Sequence, residues 1–254
     1  MERSFTSIFG LRTSVFFLSC IRFDLAAMDR IKVIGFDADD TLWVNETYYL
    51  EIEQQFCRLM ADYLPSEAAT KELFKTEMGN MELYGYGAKA FILSVIETAL
   101  RVSGGKVPAA IIQKLIDMGK ELISRDIELL DGIEQLLPIL QGRYRLIVAT
   151  KGDLLDQERK LRKSGLLPFF HHIEIMSDKQ EADYQKMLLR LDIAPEEFLM
   201  VGNSVKSDIL PVVALGGIGV HVPFHTTWQH EIIAGPVSNY HQIERISELL
   251  NILG

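Results

Sequence analysis

Ile31-Lys32-Val33-Ile34-Gly35-Phe36 is a short apolar run that stops abruptly in Asp37-Ala38-Asp39-Asp40-Thr41-Leu42. A strand buried on both faces at the centre of a parallel sheet has this form, with continuous apolar residues followed by a polar loop. Four similar runs recur. Residues 144–149 stop at Thr150, 170–176 before Ser177-Asp178-Lys179, 198–201 at Gly202-Asn203, and 218–222 at Pro223. Helical patterns separate them. Asp153 is placed to cap a helix ending near Gly165, and Tyr184, Met187, Leu188 and Leu191 recur at i, i+3, i+4 and i+7. Strands alternating with helices predict a doubly wound α/β core, a three-layer α/β/α Rossmann-like parallel sheet built from residues 29–44 and 126–254.

Residues 45–125 break the alternation. Ile52, Phe56, Leu59, Met60 and Tyr63 form one helical face, and Phe91, Ile92, Val95, Ile96 and Ala99 a second. Ile111, Ile112, Leu115, Ile116, Leu122 and Ile123 form a third. No strand-like run intervenes, so an all-helical cap domain inserted after the first strand is expected. Within it, two glycines interrupt the helical pattern in Leu83-Tyr84-Gly85-Tyr86-Gly87-Ala88-Lys89. This suits either a substrate-facing loop carrying Tyr84, Tyr86 and Lys89 or an ordinary turn packed by tyrosines.

The chain has 254 residues and a formal net charge of −9. That acidity argues against nucleic-acid partners, which need clustered Lys and Arg to displace counterions. Cys20 and Cys57 are too few for a disulfide framework, so a reducing, cytoplasmic setting is expected. Residues 1–28 read as an extension. The nine uncharged residues between Arg12 and Arg22 fall short of the roughly 20 a membrane span needs. Arg22 and Asp24 sit where a signal cleavage region should be small and neutral. The extension is read as disordered, or as untranslated with a start at Met28.

Each apolar run ends in a chemically useful residue: Asp37 and Asp39, Thr150, Lys179, then Asn203 and Asp208. Ligands of open α/β sheets bind beyond the carboxyl ends of the strands, so these groups are expected to converge. Asp37-Ala38-Asp39-Asp40-Thr41 resembles the DxDxT signature of the haloacid dehalogenase-like hydrolase superfamily. Thr150, Lys179 and Gly202-Asn203-Ser204 through Asp208 resemble its other three motifs, in order. The resemblance implies that Asp37 is a nucleophile forming an aspartyl-phosphate. It implies that Asp39 protonates the leaving oxygen, then activates water, and gives its backbone carbonyl to Mg²⁺. The nearby charge of Asp37 is expected to raise the Asp39 pKa. An acid at position 39 favours phosphate esters over the family's dehalogenases, which lack one there.

The chemistry has a charge problem. Two like unit charges about 4 Å apart repel by ~1 kcal/mol in water and ~4 kcal/mol at an effective dielectric of 20. Mg²⁺ on Asp37, Asn203 and Asp208 would offset this, with Lys179 as a second cation and Thr150 as a neutral donor. Lys151 and Gly152, beside Thr150, join the candidate substrate-binding set. Three departures from the motifs stand out: Asn203 replaces the usual opening Asp of the fourth motif, Lys151 the frequent Asn of the second, and Lys179 lacks the Pro that often follows it. Other charged groups read as bland, with Lys160, Arg162 and Lys163 as a solvated helix face and His171-His172 on an edge strand. The expected function is a Mg²⁺-dependent phosphatase of a small phosphorylated metabolite, acting as monomer or homodimer. The alternatives are a phosphomutase and a non-catalytic binding protein of the same superfamily.

Overall fold

The computed structural model describes residues 25–233, 235 and 237–254. Six parallel strands form one sheet: β1 (Val33–Phe36), β2 (Arg145–Lys151), β3 (His172–Met176), β4 (Phe198–Gly202), β5 (Ile218–His221) and β6 (His241–Gln242). Their order is β3-β2-β1-β4-β5-β6. Helix α1 (Leu25–Met28) precedes the sheet, and α2 (Glu46–Leu59), α3 (Ser66–Tyr84), α4 (Ala88–Val102) and α5 (Ala109–Ser124) follow β1. Next come α6 (Ile133–Gln141) before β2, α7 (Leu154–Lys163) before β3, α8 (Glu181–Leu191) before β4, α9 (Leu210–Ala214) before β5, and α10 (Leu249–Leu253) at the end.

Period-two alternation splits each strand between two apolar layers. Ile34, Phe36, Leu146, Val148, Leu199 and Val201 pack on one face with Leu136, Leu137 and Leu140 of α6 and Leu249 and Ile252 of α10. Val33, Ile147, Ala149, Phe198 and Met200 pack on the other with Tyr184, Met187 and Leu188 of α8. This is the three-layer α/β/α architecture expected from the sequence.

The insertion has its own apolar centre. Ile52, Phe56 and Met60 of α2 meet Leu73 of α3, Phe91 and Val95 of α4, and Leu115 and Met118 of α5. Four helices form where three apolar faces were read. The face that α3 buries consists of Ala69, Leu73 and Thr76, too sparse and too polar for an apolar stripe to be seen. Strand β6 was also unforeseen, because two residues carry no periodicity. The expectation for residues 1–28 lies outside the described residues over 1–24. Met28, its last residue, is buried in the main core.

Strand order places the site. From β1 the chain moves outward through β2 and β3, then returns to the other side of β1 for β4 and β5. The β1–β4 seam is therefore the switch point where a crevice opens past the strand ends. The residues just past it are Asp37 and Asn203.

Candidate active site

The loops beyond β1 and β4 are joined through Thr41. Its Oγ1 lies 3.4 Å from Asp37 Oδ2 and 3.3 Å from Asn203 Oδ1, and it accepts the Asn203 backbone N–H at 3.1 Å. Lys179 enters from the loop after β3 and is 2% exposed, so its charge has to be met by protein groups. Its Nζ donates to Asp37 Oδ1 and, at 2.6 Å, to Asp208 Oδ1. Burial alone would lower the Lys179 pKa, but Asp208 and Asp37 hold it above the ordinary lysine value. Burial raises the Asp37 carboxyl, and repulsion from Asp208 adds to this against the pull of Lys179. Asp208 also accepts the Ser204 N–H at 2.9 Å. It rides on a π-helical turn, Val205–Ile209, capped by Ser204. A side chain at Gly202 would collide with the Asp208 carboxylate, so glycine is what lets this turn close over the strand end.

Asp39 departs from expectation. Trp43 Nε1 donates to its Oδ1 at 2.8 Å, Lys160 Nζ to the same oxygen at 2.9 Å, and Gln157 Nε2 to its Oδ2 at 2.8 Å. Burial would raise its pKa, but Lys160 and these donors hold it below the usual carboxylate value. The charge that governs Asp39 is Lys160, not Asp37. Reading Lys160 as solvated is likewise corrected, since it is largely buried between Asp39 and Asn45 Oδ1, 2.7 Å away. A signal was present: Asp153, Asp156, Gln157 and Lys160 recur at i, i+3, i+4 and i+7, a polar stripe on α7. Asp40 serves the backbone instead, accepting the N–H groups of Asn45 and Glu46 at the start of α2.

From the end of β2, Thr150, Lys151 and Gly152 line the same cavity. Lys151 Nζ pairs with Glu231 Oε1 at 2.6 Å and lies 4.2 Å over the Tyr86 ring. Gly85 (φ +66°) and Gly87 (φ +107°) reverse the chain between α3 and α4 and present Tyr86, which hydrogen-bonds Asp178 at 3.3 Å and packs edge-on against Trp228. Of the other two loop candidates, Lys89 bridges to Asp153 at 2.9 Å, outside the cavity lining. Tyr84 lies at the exposed end of α3, also outside it. Glu231 and Trp228 come from the loop after β5, which carried no motif or periodicity to reveal them.

The insertion supplies the far wall of the cavity, where Glu46, Glu53 and Glu77 stand beside Asn80 and Tyr49. Burial, then repulsion from Asp40 and Glu77, lifts Glu46 to about 8, and burial, then repulsion from Glu53, lifts Glu77 to about 7.

The residues suit a hard cation. The cavity-facing amide atom of Asn203 lies 3.2 Å from Asp37 Oδ2 and 3.3 Å from the Asp39 backbone oxygen. Turned with nitrogen inward, the amide donates to both. Turned with oxygen inward, it completes a carboxylate–carbonyl–amide set of the kind Mg²⁺ accepts. The two Asp208 oxygens are instead engaged by Lys179 and Ser204. No helix among the described residues is long and apolar enough to cross a membrane.

Comparison with known proteins agrees with this architecture. A haloacid dehalogenase-like family hydrolase from Xanthomonas campestris is 32% identical, with a TM-score of 0.79 over 88% of this chain and 92% of its own. The putative hydrolase YfnB of Bacillus subtilis, solved bound to magnesium, shares the fold at 22% identity and a TM-score of 0.60, over 88% of this chain and 99% of its own. A glyceraldehyde 3-phosphate phosphatase from Methanopyrus kandleri is 23% identical over 76% of this chain and 84% of its own. Residues 31–216 match the model of the haloacid dehalogenase-like hydrolases. The chain belongs to this family.

Proposed function

We propose that the protein is a Mg²⁺-dependent phosphatase that hydrolyses a small phosphate monoester through an aspartyl-phosphate on Asp37. The observation that carries this reading is the double engagement of Asp37. One oxygen meets the Lys179 ammonium, while the other faces the Asn203 amide 3.2 Å away. A nucleophilic carboxylate held this way has the Lys179 cation on one side and, on the Asn203 side, room for a second cation against the phosphate charge. Asp37, the Asp39 carbonyl and Asn203 would hold Mg²⁺, with Asp208 holding Lys179. The ion supplies charge neutralisation for the phosphoryl oxygens.

In the first step an Asp37 oxygen bonds to phosphorus, the bond to the ester oxygen breaks, and that oxygen takes a proton from Asp39. In the second, Asp39 takes a proton from water as the water attacks phosphorus, and the bond to Asp37 breaks to release phosphate. Asp39 ionised by Lys160 is the form that activates water, and protonating the ester oxygen requires the carboxyl to part from Lys160. The helical insertion acts as a cap whose Tyr86 loop covers the phosphate end and excludes water. The phosphatase name of the Methanopyrus relative supports a phosphate ester as substrate.

Colorimetric phosphate release from p-nitrophenyl phosphate tests the reading. Stoichiometric release with Mg²⁺, abolished by EDTA, is expected. An isomerised sugar phosphate with no free phosphate, or no metal-dependent turnover on a broad panel of phosphate esters, contradicts it.

A further inference from the structure

Glu231 lies outside all four motif segments, yet its carboxylate ties two of them together. Its Oε1 accepts from Lys151 Nζ at 2.6 Å. Its Oε2 accepts from Ser204 Oγ at 2.5 Å and Ser207 Oγ at 2.6 Å. The two serines sit on the turn between Asn203 and Asp208, so they anchor Glu231 to the most constrained part of the site. Lys151 in turn donates to Ser207 Oγ at 3.0 Å. An ammonium has three N–H groups, and Glu231 and Ser207 take two, leaving one for the cavity that Lys151 lines. The Tyr86 ring, 4.2 Å from the ammonium, limits where that last N–H can point.

We propose that Glu231 is a positioning residue for the reaction: held by Ser204 and Ser207, it fixes Lys151 as a second phosphate-binding cation beside Lys179. This deepens the phosphatase reading and rests on it. A lysine has a long flexible stem and binds phosphate as a point charge, so without an anchor its direction is lost. Burial would favour a neutral Glu231, but Lys151 and the two serine hydroxyls hold its pKa at about 2, so the anchor is ionised at working pH. The position also bears on Asn203, which lacks the charge of an aspartate. Lys151 and Glu231 cancel in net charge, so the pair supplies direction rather than charge, and the anion missing at Asn203 is what leaves the site less negative.

Two readouts test the proposal: calorimetric binding of inorganic phosphate in the presence of Mg²⁺, and KM against kcat for p-nitrophenyl phosphate. Wild type is compared with Glu231→Gln, Lys151→Met and the double variant. Glu231→Gln is expected to weaken phosphate binding about tenfold and raise KM in step, with a smaller change in kcat. The double variant should bind phosphate no more weakly than Lys151→Met alone, because Glu231 acts through Lys151. If Glu231 merely neutralised Lys151, its loss would free the ammonium and tighten phosphate binding. Tighter or unchanged binding, or additive losses in the double variant, overturns the proposal. Should Glu231→Gln fail to fold, Glu231→Asp keeps both charges and only shortens the arm that reaches Lys151, Ser204 and Ser207. It should weaken phosphate about threefold, and unchanged affinity overturns the proposal. A wild type that turns over while these variants match it defeats the role of Glu231 alone. A wild type with no turnover defeats the phosphatase reading first.

Discussion

Lys160 Nζ lies 2.9 Å from Asp39 Oδ1, on the oxygen that also receives the Trp43 indole N–H. A lysine from the helix after β2 thus sets the charge and direction of the carboxylate after β1. If Asp39 is the acid, Asp39→Asn should lose about 10²–10⁴-fold in kcat on an alkyl phosphate, where the leaving oxygen needs a proton. It should lose far less on p-nitrophenyl phosphate, whose leaving group departs as the anion. Lys160→Met removes the charge that keeps Asp39 ionised for water activation, a step shared by both substrates, so it should lose roughly tenfold on each, consistent with one charged hydrogen bond. Equal losses on both substrates for Asp39→Asn contradict the assignment.

Glu46 connects pH to stability. Burial, with Asp40, Glu77 and Glu53 nearby, raises its pKa from the ordinary 4.5 to about 8. A group whose folded pKa is raised contributes stability below the unfolded pKa, and that stability fades as pH rises toward the folded one. Glu46→Gln removes the penalty of charging a buried carboxyl. Its melting temperature should exceed that of wild type by at least about 3 °C at pH 8.5, roughly one kcal/mol for a chain of this size. The gap should close toward pH 4.5. A gap that does not vary with pH counts against the assignment.

Glu46, Glu53 and Glu77 line the cavity on the side of the insertion. Above the raised pKa values of Glu77 and Glu46, about 7 and about 8, a leaving group bearing a second phosphate or a carboxylate meets repulsion at that wall. Esters with neutral leaving groups should therefore be preferred over anionic ones by at least about tenfold in kcat/KM, equal to ~1.4 kcal/mol. Glu53→Gln/Glu77→Gln should narrow the ratio. A bisphosphate as preferred substrate defeats this prediction.

Much of the site was legible because strand ends carry it. The apolar runs before Asp37, Thr150, Lys179 and Asn203 mark β1 to β4, and parallel strands bring their carboxyl ends to one edge. What escaped notice lies on surfaces whose direction depends on packing. Lys160 looked solvated because Arg162 and Lys163 are its neighbours, yet the turn of α7 points it at Asp39. Glu231 sits in an aperiodic loop, and no local pattern reports that such a loop folds back over the second and fourth motif segments. The expected pKa shift of Asp39 had the wrong sign for the same reason: the like charge two residues away was visible in sequence, and the opposite charge 121 residues away was not.

Gly202→Ala tests how tightly the Asp208 turn is packed. The added methyl would occupy the space of the Asp208 carboxylate, so the turn has to shift and Lys179 loses its second partner. Overpacking of this kind costs about 1–3 kcal/mol. The melting temperature should fall by about 2–10 °C, and turnover should fall at least tenfold because Lys179 is misplaced. Unchanged turnover means that the Lys179–Asp208 contact does not position the cation.

The central claim is that Asp37 carries the phosphoryl group. It is tested most directly by acid-quenching a single turnover with Mg²⁺, reducing with borohydride, and analysing the peptides by mass spectrometry. Borohydride converts an acyl phosphate to an alcohol, so Asp37 should appear as homoserine in wild type and the signal should vanish in Asp37→Asn. Turnover with no modified aspartate trapped at any quench time, or homoserine at a position other than 37, contradicts the account.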